Sequence, residues 1–176
     1  MSIAGVIAVF IILCIACWED LKFYRIHNPV IAAGWFYGVV YSLFQSGLIG
    51  ILRWGIASMF PIVLLFFLFL IKGLGAGDIK LFSVISGILG IRFIIQLIIA
   101  SFLIGAVFSV FQMIQFRIFL YRLNVLFQYI HTAITEKRIR RYYDSETDGK
   151  QCIIPFTTAV LSAFVILILK LYILKL

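Results

Sequence analysis

The chain has 176 residues, of which 64% are hydrophobic and 12% charged, with 18 Phe and a formal net charge of +8. Mean hydropathy is +1.17. A soluble chain averages about 45–50% apolar and about 25% charged residues, and a soluble fold of this size buries only about 70% of its chain surface. Composition therefore excludes a soluble domain, and with it a disordered chain. With 3 Cys, it also excludes a disulfide scaffold. The apolar segments lack the alternation of a membrane barrel. The expected fold is all-α: a polytopic membrane protein with about six transmembrane helices, both termini outside.

The first apolar run spans 2–18 and is followed at once by Glu19, Asp20, Lys22 and Arg25. It lacks the basic start and small-residue cleavage site of a signal peptide, so it reads as a structural helix. The second run covers 29–52 and ends at Arg53; the third covers 54–71. A glycine-rich stretch, Lys72-Gly73-Leu74-Gly75-Ala76-Gly77-Asp78-Ile79-Lys80, comes next. The apolar region 79–116 is too long for one crossing at about 1.5 Å per residue. Gly87, Gly90 and Arg92 divide it into a short fourth span, 79–91, and a fifth, 93–116. A polar segment, 117–151, precedes the sixth span near 153–170.

Eleven of the fifteen basic residues, and all seven acids, fall between spans 1 and 2, 3 and 4, or 5 and 6. The other four are Arg53, Arg92, Lys170 and Lys175. The positive-inside rule places the richer side in the cytoplasm. The positive charge thus reads as membrane orientation, not as a nucleic-acid surface, and no nucleic-acid partner is expected. In the last loop, Leu123, Phe127, Ile130 and Ile134 fall at helical spacing beside a basic cluster, Lys137 to Arg141. This pattern predicts an amphipathic helix against anionic membrane lipids. Otherwise it is an ordinary basic loop. The chain 1–176 reads as one membrane-embedded domain, with 117–151 as its cytoplasmic or interfacial segment.

Acids at the edge of the hydrocarbon are functional candidates by default. Glu19 and Asp20 end span 1, Asp78 begins span 4, and the topology sets all three on one membrane face. Span 4 would be about 20 Å long, against about 30 Å of hydrocarbon. A carboxylate drawn below the surface needs protein cover and a water-filled cavity. Two carboxyls beside water suit general acid–base hydrolysis, because like charges force them to share a proton. The alternative is that each Asp caps a helix end. Gly73, Gly75 and Gly77 permit either a bent turn or close approach of a substrate backbone.

Gly75-Ala76-Gly77-Asp78-Ile79-Lys80, followed by Gly87 and Gly90, resembles the GxGD-x-K signature of type IV prepilin peptidases. Asp20-Leu21-Lys22 with Arg25-Ile26-His27-Asn28 is similar to that family's first motif, and Ile154-Pro155-Phe156 to its late Ile-Pro-Phe element. The resemblance implies a six-span membrane aspartic endopeptidase. Its partner would be a prepilin-like precursor, a basic leader joined to a first hydrophobic helix, cut at the cytoplasmic face of the cell membrane. Asp20 and Asp78 would be catalytic. Gly75, Gly77, Lys80, Arg25, Asn28 and Pro155 would be supporting positions. His27 departs from the pattern, standing where Pro is usual, with Pro29 displaced past Asn28. The zinc-binding Cys domain of larger bacterial members is missing, and the size matches the small Flp/Tad-type or archaeal members. Nothing reads as an S-adenosylmethionine site, so methylation is not assigned.

No metal or cofactor is expected. Cys14 and Cys17 form a C-x-x-C inside an apolar span, without the further ligands that zinc needs. Gln45, Gln96, Gln112, Gln115, Thr157 and Thr158 are expected to bridge helices. Glu19, about 100° round the helix from Asp20, is expected to be dispensable for activity. Two alternatives differ in class. A presenilin-like protease would carry Tyr-Asp within a helix and a Pro-Ala-Leu element; this chain has neither. A proton-coupled transporter would want an acid at mid-membrane and internal repeats.

Overall fold

The computed structural model describes residues 2–71, 73–115 and 155–173. Among the described residues there are five helices and no strand. Two compact units are distinguished: Met1–Gly105 with Pro155–Leu176, and Ala106–Ile154. Of the second, residues 106–115 are described, and they are helical. The amphipathic segment expected over 117–151 lies outside the described residues.

Helix α1 (Ile3–Phe23) starts at Ser2, whose Oγ accepts from the Gly5 N–H at 3.2 Å, an N-cap. It ends at Tyr24, which takes a left-handed conformation and donates its N–H to the Asp20 carbonyl at 2.9 Å. Helix α2 (Asn28–Leu70) opens with Pro29 in its first turn, where a missing N–H costs nothing. Helices α3 (Ala76–Leu89) and α4 (Ile91–Gln115) are separated by Gly90, at φ 90° and ψ 165°. Helix α5 covers Phe156–Ile173.

The structure corrects one boundary. Arg53 does not end the second span. Helix α2 breaks at Ser46 and Gly47, where Gly47 adopts φ 61° and ψ −145°. Its two arms, 28–45 and 48–70, fold back on each other. The Trp54 indole meets Gly38, and Gly50 lies against the Ser42 carbonyl. On a continuous helix Gly38 and Trp54 would stand about 24 Å apart. A charge marks where hydropathy dips; a backbone reverses where a residue tolerates positive φ. Arg53 instead lies on the second arm, exposed.

Helix α3 is the centre of the fold. Ile79, Leu81, Phe82, Ser83, Val84, Ile85, Ser86 and Ile88 are all buried, which leaves it almost no outer face. A helix apolar all round belongs inside. Its neighbours reach it through small residues, as membrane helices do. A Cβ on Gly34 would fall 2.6 Å from Val84 Cγ1, and one on Gly87 would collide with Trp54 and Ser58. The Ser86 hydroxyl donates to the Ala57 carbonyl at 2.6 Å, which ties α3 to the second arm of α2. Helix α1 packs on α5, with the Phe10 and Phe164 rings 6.5 Å apart.

Among the described residues, four helices are long and apolar enough to cross a membrane: α1, α2, residues 91–112 of α4, and α5. The chain is a multi-pass helical membrane protein. Helix α3, at 14 residues, is shorter than any of them.

The reversal at Gly47 makes a stability prediction. A side chain in that backbone region costs about 1–3 kcal/mol. Gly47→Ala is expected to lower the unfolding temperature in detergent. Gly55→Ala, in the helical second arm with open space around it, is expected to leave it unchanged or raise it, since Gly is about 0.5–1 kcal/mol worse than Ala in a helix. Equal melting of both variants would deny the reversal.

Candidate active site

Asp20 occupies the last turn of α1 and is 8% exposed. A carboxyl that deep needs hydrogen-bond donors. Thr157, fully buried in the first turn of α5, supplies two. Its hydroxyl donates to Asp20 Oδ2 at 2.7 Å, and its N–H donates to the same oxygen at 3.3 Å. The residues before it set its position. The Pro155 carbonyl accepts from the Thr158 N–H at 3.2 Å and the Thr158 hydroxyl at 2.7 Å. The Phe156 ring meets Phe82 of α3 edge-on at 6.2 Å and Phe102 of α4 at 5.4 Å. Of the two threonines expected to bridge helices, Thr157 does so and Thr158 bonds within its own turn.

Asp78 is the third residue of α3 and is half-buried. It precedes the apolar run 79–91 and stands outside the spanning segment. Its carboxyl accepts from the backbone N–H of Gly75, the N-cap residue. This is the return half of a capping box, with a glycine where Ser or Thr would stand. The capping alternative is thus realised at Asp78, and a helix cap does not prevent a second role. A Cβ on Gly75 would lie 3.0 Å from Asp78 Oδ2, so a side chain there would crowd the carboxyl. A Cβ on Gly77 would lie 3.4 Å from Ile26, in the connection between α1 and α2.

Burial, and then the charge of Asp20, push the Asp78 carboxyl up to about 7, against the opposing hydrogen bond from Gly75. The two acids brought close from distant parts of the sequence are therefore Asp20 and Asp78. At neutral pH Asp78 retains a large share of its proton. Around them, Lys80 Nζ donates to Asn28 Oδ1 at 3.2 Å, joining α3 to the start of α2. Arg25 is exposed in the connection between α1 and α2.

Glu19 does not join the pair. Its Oε2 accepts from the His27 N–H at 2.9 Å, and its Oε1 lies 3.4 Å from His27 Nδ1, within ion-pair reach if the imidazole is protonated. This accounts for the departure at position 27. A proline there would have no N–H to give Glu19. Cys14 is exposed and Cys17 buried, and Cys17 lies within hydrogen-bond reach of Thr157. A cavity of about 610 Å³ lies elsewhere. It is lined by Ser2, Tyr41, Gln45, Arg53, Trp54 and Arg92 among others, at the opposite end of α1 from Asp20. Among the described residues, no carboxylate lines it.

The model of the type IV leader peptidase family matches residues 7–110, more than half of the chain, including both Asp20 and the Gly75–Lys80 stretch. The chain belongs to the type IV leader peptidase family. It is a leader-peptidase-like protease, and the substrates of such proteases are prepilin-like. Pro155 and Thr157 lie beyond the matched residues. No curated protein and no solved structure matches the chain.

Sequence reasoning did not single out Thr157 among the polar residues of the spans. Its one signal is its place two residues after Pro155, where the last helix enters. Glu19, expected to be dispensable for activity, braces the loop through His27. Glu19→Gln keeps an oxygen for the His27 N–H and is expected to melt within a degree or two of the native protein. Glu19→Ala strands that N–H and is expected to cost about 1 kcal/mol, read as a lower unfolding temperature in detergent. Identical melting of the two variants would show that the bond carries no weight.

Proposed function

We propose that the protein is an aspartic endopeptidase that removes the short basic leader of prepilin-like precursors at the cytoplasmic membrane face, with Asp20 and Asp78 sharing the chemistry. The observation that carries this reading is the Asp78 carboxyl pushed up to about 7 by burial and by the charge of Asp20. In this reading the chain crosses six times, through α1, the two arms of α2, α3 from Ile79 onward, α4 and α5. Both termini face outward. The excess of Lys and Arg between crossings 1 and 2, 3 and 4, and 5 and 6 supports that orientation.

Water attacks the scissile carbonyl carbon while one ionised carboxyl takes a proton from it. The other, protonated, carboxyl gives its proton to the carbonyl oxygen, leaving a gem-diol. As the C–N bond breaks, the first carboxyl passes its proton to the departing nitrogen. A diol hydroxyl returns its proton to the second, and the pair is restored. Such acid–base assistance contributes about 10²–10⁴-fold in rate. Gly75 and Gly77 keep the approach to Asp78 low, so that a substrate backbone can lie against it. Lys80 with Asn28 holds the two motif segments together, and Arg25 and Pro155 support the connection and the last helix. The precursor's hydrophobic segment would remain among the membrane lipids beside the enzyme.

Asp20→Asn and Asp78→Asn are each expected to reduce cleavage of a synthetic precursor peptide by at least about 10²-fold while the protein still inserts and melts normally. Near-native turnover in either variant would dismiss the pair. The pH profile is the second check. Above about 7 Asp78 gives up its proton, so the rate is expected to fall on the alkaline side. On the acid side the rate falls once both carboxyls are protonated, and the two limbs belong to the pair. A rate climbing steadily through the alkaline range would exclude proton sharing.

A further inference from the structure

We infer that Thr157 is the positioning residue that decides which carboxyl of the pair acts as base: it makes Asp20 the proton acceptor and leaves Asp78 the proton donor. The inference rests on the aspartic reading of the site and adds to it a division of labour.

The environments of the two acids differ. Asp20 Oδ2 receives two donors from one residue, the Thr157 hydroxyl at 2.7 Å and the Thr157 N–H at 3.3 Å. Donors aimed at a carboxyl oxygen stabilise its ionised form. Asp78 has the Gly75 N–H alone against its desolvation by burial. Burial with little hydrogen-bond compensation favours the form that keeps its proton. Two carboxyls that share one proton place it on the oxygen that loses least by holding it, which is the one on Asp78. Among the described residues, the titratable groups that couple to Asp20 include Asp78 of α3 and Cys17 of its own helix. From α5 it meets Thr157. Neither Asp78 nor Cys17 brings a positive charge, and the two Thr157 donors offset the cost of a buried carboxylate here.

The arrangement also fixes direction. With Oδ2 held from the α5 side, Asp20 keeps Oδ1 to receive the water proton. Thr157 touches neither water nor substrate in this scheme and acts through Asp20.

The test compares Thr157→Val with Thr157→Ser in the full-length protein, reconstituted in liposomes with a synthetic peptide of basic leader and hydrophobic segment. Valine matches threonine in shape and keeps the N–H but removes the hydroxyl. A hydrogen bond to a charged group is worth about a ten- to hundredfold change. Thr157→Val is therefore expected to lose that much in kcat, with KM little changed and the acid limb of the pH profile moved upward. The alkaline limb, which like the acid limb belongs to the pair, moves less. Thr157→Ser restores the hydroxyl and is expected to recover most of the rate and the native acid limb. An unchanged rate and profile in Thr157→Val would overturn the inference, as would equal losses in both variants with unmoved limbs, which would mark a packing role only. Asp20→Asn assayed beside them separates the two levels. If it is inactive while Thr157→Val is native-like, only this inference fails. If Asp20→Asn is itself active, the aspartic pair and the role of Thr157 fall together.

Discussion

In the six-crossing reading, the fold is organised around a helix that is too short. Helix α3 has 14 residues, about 21 Å at 1.5 Å per residue, where hydrocarbon is about 30 Å thick. Left facing lipid, its ends would expose unpaired backbone groups at a cost of several kcal/mol each. The protein therefore encloses it. Gly34 and Gly87 let the arms of α2 approach to backbone distance, and Ser86 ties it to Ala57. Enclosure leaves the N-terminal end of the helix recessed in protein, and Asp78 stands at that end. The same shortness that demands a sheath thus creates the half-buried position of a carboxyl beside a second one.

Two carboxyls in one neighbourhood would be only an electrostatic burden if their surroundings were alike. Here they are not. One takes two hydrogen bonds from a neighbouring helix; the other takes one from its own helix cap. Differences of this kind separate acid from base in sites built from a single residue type. In the proposed reading the stabilising and the functional roles coincide at Asp78, because the bond that caps α3 also restrains the carboxyl. Membership in the type IV leader peptidase family gives that chemistry a peptide to act on.

Much of the architecture was legible in residue patterns. The end of α1 near the first acids, the shortness of the helix after Asp78 and the division near Gly90 all follow from apolar length, charge and glycine. The break in α2 was misplaced because Arg53 interrupts the hydropathy while the turning residue, Gly47, sits in a run with no charge near it. Gln45-Ser46-Gly47, a polar trio in an apolar segment, was the available cue. At the site, Asp20 and Asp78 could be picked out because an acid beside a membrane span is conspicuous. Thr157 could not, since a threonine is cheap in a spanning helix and its partner is 137 positions away. Glu19 showed the converse. Its charge was plain, but its bond to a backbone N–H depends on the left-handed turn at Tyr24 that brings His27 back toward α1.

The long sequence separation between Asp20 and Thr157 also orders events during synthesis. Chains grow from the N-terminus at about 5–20 residues per second, so Thr157 is made on the order of ten seconds after Asp20. Until α5 has formed and docked, Asp20 Oδ2 has neither of the donors that Thr157 provides. The last helix of the described protein is the one that completes the surroundings of the first acid. A nascent chain, or one ended prematurely after α4, would carry both carboxyls without that completion. Docking of α5 and completion of the surroundings of Asp20 therefore coincide.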